Sequence, residues 1–163
     1  YFDQLSDKSL SILIPGAGNS YEAEYLHALG FTNVVVVDIA PTAILKFKER
    51  VKSFPIPHII NTDFFELCGR FDLIIEQTFF CALDKKLRLS YAEQAHRLLK
   101  PNGKVVGLMF DAPLNEDKPP FGGSVMEYIA CFNPLFDIEI MNPAYNSIES
   151  RASREVFVKM VKK

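Results

Sequence analysis

Cysteine is scarce in this chain and poorly placed for cross-linking. Cys68, Cys81 and Cys131 are odd in number and far apart, which excludes a disulfide framework and matches no zinc-binding spacing. His27, His58 and His96 are equally scattered, so no metal site is expected, and the lone thiols favour a reducing, cytoplasmic setting. Charge of one sign is also lacking. The 18 basic and 20 acidic residues leave a net charge of -2, which offers no footprint for nucleic acid or an anionic membrane surface. No stretch reaches the about 18 apolar residues of a membrane span, and the first residues do not form a signal peptide. Repeats and low-complexity tracts are missing, and nothing marks an obligate protein partner. With 163 residues, 48% of them hydrophobic, one packed core is expected, hence a single domain over 1–163.

What is present centres on residues 10 to 38. The short apolar run Ile12 to Ile14 reads as a buried strand, followed by Gly16-Ala17-Gly18, a helix carrying Ala23, Leu26 and Leu29, and a second strand ending at Asp38. Gly16 and Gly18 allow a sharp turn and close approach of a ligand, and a carboxylate at the end of the second strand can accept both hydroxyls of a ribose. The unit therefore points to an adenosine-containing ligand. A dinucleotide site places a third glycine three residues after the second; here Tyr21 stands there, and Glu22 brings negative charge to the helix start. That combination disfavours a diphosphate and suits a cationic ligand such as S-adenosylmethionine.

The rest of the chain continues the alternation. A helix opened by Pro41 runs to Ser53, a short strand covers His58 to Asn61, and a fourth strand Phe71 to Glu76. Lys85 to Leu99 reads as a helix stopped at Pro101-Asn102-Gly103, with a fifth strand over Lys104 to Phe110. Asp111 to Phe121, rich in proline and charge, reads as a long loop and a candidate lid. A helix from about Ser124 to Cys131 precedes two segments, Phe136 to Met141 and Glu155 to Val161, close enough to pair antiparallel. The fold class is α/β and Rossmann-like: a mostly parallel seven-stranded sheet with a C-terminal antiparallel hairpin and helices on both faces.

Six motifs carry a resemblance. Pro15-Gly16-Ala17-Gly18, the Val37 to Ile44 segment, Asp63-Phe64-Phe65, Phe71-Asp72-Leu73-Ile74 with Phe79-Phe80-Cys81-Ala82-Leu83, Leu99-Lys100-Pro101-Asn102-Gly103 and Pro119-Pro120-Phe121 occur in consistent order. They resemble the thiopurine S-methyltransferase family of class I methyltransferases, and most of all its plant halide and thiol methyltransferase branch. The Thr78 to Leu83 run and the Pro-Pro-Phe turn are the more specific of these. Two departures stand out. The family usually has an aspartate and then a tyrosine or arginine where this chain has Glu76 and Gln77, and its halide branch has Gly-Gly-Pro-Pro-Tyr where this chain has Asp117 to Phe121. The family also has a segment, often with tryptophan and proline, that closes over the cofactor before the first strand. This chain has no tryptophan and starts at Tyr1, close to the strand, so either that lid segment lies outside these 163 residues or the site is open.

The resemblance implies S-adenosylmethionine as cofactor, S-adenosylhomocysteine as its product, and a small-molecule methyl acceptor. It assigns Gly16, Ala17 and Gly18 to the methionine part, Asp38 to the ribose, Ile39 and Phe64 to the adenine, and Asp63 to the adenine amino group. An aspartate there is also a common helix cap. Glu76 and Gln77 fall near cofactor and substrate. Phe79, Phe80 and Phe121 are candidates for an aromatic wall beside the sulfonium, with core packing as the alternative. Arg151 either holds an anionic acceptor or is a solvated hairpin residue. Cys81 has no histidine partner in its motif and is expected to be a packed thiol. The implied reaction is in-line methyl transfer to a small soft nucleophile, a halide, thiocyanate or thiol. It needs no metal, and no catalytic base is identifiable for a thiol. The alternatives are a cofactor-binding domain without turnover, a methyltransferase for bulkier aromatic thiols, and a nicotinamide-dependent reductase.

Overall fold

The computed structural model describes residues 1–163. Its elements are β1 (Ser11–Pro15), α1 (Tyr21–Ala28), β2 (Asn33–Asp38), α2 (Pro41–Arg50), β3 (Ile59–Asn61), β4 (Phe71–Gln77), α3 (Arg88–Leu98), β5 (Leu99–Phe110), α4 (Val125–Phe132), β6 (Phe136–Pro143) and β7 (Glu155–Lys162), joined by short 3-10 turns. All seven strands form one sheet in the order β3-β2-β1-β4-β5-β7-β6. The first five are parallel to one another, and β7 runs antiparallel to both β5 and β6. This is a Rossmann-like α/β fold with a C-terminal antiparallel pair, as the alternation of strand and helix predicts.

Strand periodicity builds the core on both faces. In β1, Leu13 joins the layer under α3 and α4, while Ile12 and Ile14 join the layer under α1 and α2. Burial on two faces explains why β1 and β2 read as continuous apolar runs rather than alternating ones. The helix starts are set locally. Pro41 at the first turn of α2 has its φ pre-set for the helix, and Ser124 caps α4 by accepting the Glu127 N–H at 3.3 Å. Only element ends differ from the sequence expectation: α2 stops at Arg50, and Lys85–Leu87 forms a 3-10 turn ahead of α3. The chain crosses from β1 outward to β2 and β3, and later returns to β4 on the other side of β1. Two neighbouring strands whose connections leave in opposite directions open a crevice at their carboxyl ends, here beyond Pro15 and Gln77.

Candidate functional site

The crevice is divided by the glycine turn. Gly16, Gly18 and Ser20 all have positive φ (68°, 48° and 46°), so the chain leaves β1 in a tight coil before α1 begins. Asp38 at the end of β2 holds this coil, its Oδ2 accepting the Gly18 N–H at 3.1 Å and its Oδ1 the Ala40 N–H at 2.7 Å. Each carboxylate oxygen keeps acceptor capacity beyond those bonds.

On one side of the turn lies a cavity of about 620 Å³ bordered by Asp38, Ile39, Asp63, Phe64 and Phe79. Asp63 caps the 3-10 turn Phe64–Glu66 through a 2.9 Å bond from the Phe65 N–H to Oδ1, so the capping reading holds, and the residue faces the cavity as well. Phe64 stacks on Tyr91 with ring centroids 5.3 Å apart and meets Phe79 edge-on at 5.3 Å. Ile39 is an apolar side chain 67% exposed at the rim. Two acidic residues and apolar walls of this size fit a nucleoside: hydroxyl and amino donors for the acids, apolar surface for a base.

On the other side lies a cavity of about 500 Å³. Ala17 and Asn19 of the turn border it together with Gln77, Ser147, Arg151 and Glu155. Gly16, Gly18 and Thr78 border both cavities. Thr78 has φ 67°, unusual for a β-branched residue, and this kink at the end of β4 turns the Thr78–Leu83 segment across the glycine coil. The Phe79 ring then lies directly on Gly16, where any Cβ would overlap it.

Several sequence-based assignments change in the structure. Glu76 reaches neither cavity: it is fully buried, its Oε1 accepts the Phe80 N–H at 2.8 Å and its Oε2 the Tyr91 hydroxyl at 2.7 Å. Burial pushes its carboxyl up to about 7 against the opposing pull of those two bonds. Phe80 is a core residue, 1% exposed between Tyr91 and Tyr128, because the 3-10 turn after Thr78 points it inward. Phe121 borders neither cavity; its N–H donates to the Cys81 carbonyl at 2.7 Å and ties the 111–123 loop to the motif. Phe79 faces the Asp38 half rather than the Arg151 half. The 111–121 loop supplies no wall of either cavity. Cys81 is the packed thiol expected, donating to the Thr78 carbonyl at 3.1 Å and pushed up to about 11 by burial and then by Glu76.

Gly16, Ala17, Gly18, Asp38, Ile39, Asp63, Phe64, Gln77, Phe79 and Arg151 do gather at the crevice. Sequence reasoning missed Thr78, Ser147 and Glu155. Ser147 and Glu155 belong to the β6–β7 connection and the start of β7, and no local pattern marks them, since only the insertion of β7 beside β5 brings them to the glycine turn.

The family model described as thiopurine S-methyltransferase (TPMT) matches residues 1–162. The chain is 34% identical to the probable thiol methyltransferase 2 of Arabidopsis thaliana, over 76% of this chain and 56% of that protein. It is 32% identical to thiocyanate methyltransferase 1 of Brassica oleracea, over 71% of this chain and 53% of that protein. The chain thus spans about half the length of the curated relatives it matches. Among solved structures it resembles a protein of Pyrococcus horikoshii OT3 (TM-score 0.79, 17% identity, 99% of this chain and 85% of the other). It also resembles the N-methyltransferase NodS of Bradyrhizobium japonicum WM9 in complex with S-adenosylhomocysteine (TM-score 0.74, 17% identity, 94% and 79%). Those likenesses concern the fold, whereas the family match extends over nearly the whole sequence: the chain belongs to the thiopurine S-methyltransferase family.

Proposed function

We propose that this chain is an S-adenosylmethionine-dependent methyltransferase domain acting on a small soft nucleophile of the thiol, thiocyanate or halide type. The observation that carries this reading is the two-part crevice: a nucleoside-sized half with Asp38 and Asp63, a second half with Gln77, Arg151 and Glu155, and the Gly16–Gly18 coil between them. Asp38 suits the ribose hydroxyls, Asp63 the adenine amino group, and Ile39, Phe64 and Phe79 the faces of the base. Ala17 and the open backbone of the coil suit the methionine part. The names of the relatives, thiol and thiocyanate methyltransferases, support the acceptor class.

The bound cofactor supplies a methyl group on a positively charged sulfur. The protein's contribution is to hold donor and acceptor in line, and alignment alone is worth about 7 to 11 kcal/mol in favourable cases. Gln77 and Thr78 at the end of β4, and Arg151 in the β6–β7 connection, suit the acceptor side. No helix is long and apolar enough to cross a membrane, and three free thiols support a reducing, cytoplasmic setting. Calorimetry with S-adenosylhomocysteine and NAD, followed by transfer of a labelled methyl group to iodide, thiocyanate, ethanethiol and a bulky aromatic thiol, tests the reading. Binding of the first ligand only, and labelling of the small acceptors, are the expected results. Binding of NAD, or cofactor binding with no acceptor labelled, would sink it.

A further inference from the structure

Glu155 is the feature that the methyl-transfer scheme leaves unused. It opens β7, is 4% exposed, and borders the acceptor half of the crevice. Its backbone is held from both sides, paired with Phe110 of β5 and accepting the Ala144 N–H at 2.9 Å. The side chain therefore has little freedom. Oε1 accepts from the Arg151 guanidinium at 3.3 Å, and Oε2 takes no hydrogen bond from the protein. Arg151 is itself one-third exposed and packs over the Phe110 ring at 5.5 Å, so it only partly offsets the buried negative charge. Glu22, the other acid bordering this cavity, sits on the half-exposed first turn of α1.

We propose that Glu155 is the proton acceptor of this site and makes a protonated thiol its preferred acceptor over a halide or thiocyanate; the inference rests on the methyltransferase reading above. A thiol with a reference pKa of about 8.5 is mostly protonated at neutral pH and must lose its proton in the course of the reaction. A halide has no proton to lose. A carboxylate is a weak base for a free thiol, but the S–H proton becomes far more acidic as the new S–C bond forms, so a positioned carboxylate suffices. The balance is complete. A thiol sulfur lone pair forms the S–CH₃ bond, the donor's S–CH₃ bond breaks with its electron pair left on the donor sulfur, and the thiol proton passes to Glu155 Oε2 and then to solvent. The positive charge of the donor and the negative charge of Glu155 are both discharged in the step. An anionic acceptor discharges its own negative charge instead and leaves that of Glu155 in place, and it must enter beside a buried carboxylate, which repels it.

The test compares the wild-type chain with Glu155→Gln and Glu155→Asp, using ethanethiol and iodide as acceptors and calorimetry for S-adenosylhomocysteine and for thiocyanate added to that complex. Expected for Glu155→Gln are unchanged S-adenosylhomocysteine affinity, a loss of about 10²-fold in kcat/KM for ethanethiol, and a gain of about tenfold for iodide. Thiocyanate should bind the variant complex about tenfold more tightly once the like charge is gone. Glu155→Asp should keep part of the ethanethiol activity. If Glu155→Gln lowers ethanethiol and iodide turnover by the same factor, or leaves thiocyanate affinity unchanged, the proton-acceptor role is overturned while the methyltransferase reading stands. If the wild-type chain binds S-adenosylhomocysteine yet methylates neither acceptor, both are overturned.

Discussion

Replacing Glu76 with Gln should make the protein more stable at neutral pH and remove most of the pH dependence of its stability near neutrality. Glu76 is fully buried with its carboxyl raised from 4.5 to about 7, chiefly by burial. A carboxyl that binds its proton more tightly when folded gives the folded state one extra proton between those two values. Stability is therefore greatest at the acid side of that window, falls as the pH rises from about 4.5 to 7, and levels off above. At about 1.36 kcal/mol per pKa unit the loss is on the order of 3 kcal/mol. Gln at this place keeps the geometry, since its amide oxygen accepts from the Phe80 N–H as Oε1 does and its amide N–H can donate to the Tyr91 oxygen. It has no charge to desolvate. Urea unfolding followed by circular dichroism at pH 5 to 8.5 should show a wild-type midpoint that falls toward neutral pH, and a Glu76→Gln midpoint that stays comparatively level and lies above it at pH 7.5. Parallel curves for the two proteins would refute the reasoning. Glu76→Ala is the contrasting variant: it strands the Phe80 N–H and the Tyr91 hydroxyl in the core, at about 1 to 3 kcal/mol for each group left unpaired.

Three further outcomes are expected. Asp38→Ala should weaken S-adenosylhomocysteine binding by roughly 1.5 to 3 kcal/mol, the usual worth of a hydrogen bond to a charged group, and calorimetry showing unchanged affinity would remove Asp38 from the ligand. Gly16→Ala should abolish that binding while the protein stays folded by circular dichroism, because the new Cβ displaces Phe79 and the residue has φ 68°; wild-type affinity in this variant would contradict the packing of Phe79 on the coil. Hydrogen exchange on adding S-adenosylhomocysteine should slow in residues 146–151, which border the crevice, and stay unchanged in 113–119, which do not; the opposite pattern would restore the 111–121 loop as the lid.

Much of the fold was legible in the chain. The glycine turn, the apolar strands and the proline and serine helix starts are local signals, each set by backbone sterics, burial on two faces or capping within a few residues. They bring Gly16, Gly18 and Asp38 together because a β-α-β unit closes on itself over a short stretch of chain. Two aspects were decided only in three dimensions. The first is which residue of an aromatic run faces the ligand: the positive φ of Thr78 sends Phe79 onto the glycine coil and Phe80 into the core, and periodicity cannot anticipate a single left-handed residue. The second is the half of the crevice that holds Arg151 and Glu155. Arg151, Ser147 and Glu155 reach the glycine turn because β7 inserts between β5 and β6, an antiparallel pairing across about fifty residues of sequence that depends on the whole sheet being assembled. The half with the glycine turn and Asp38 is local and could be read from the chain, whereas the half with Arg151 and Glu155 is long-range topology, and its buried carboxylate becomes visible only when the strands are in place.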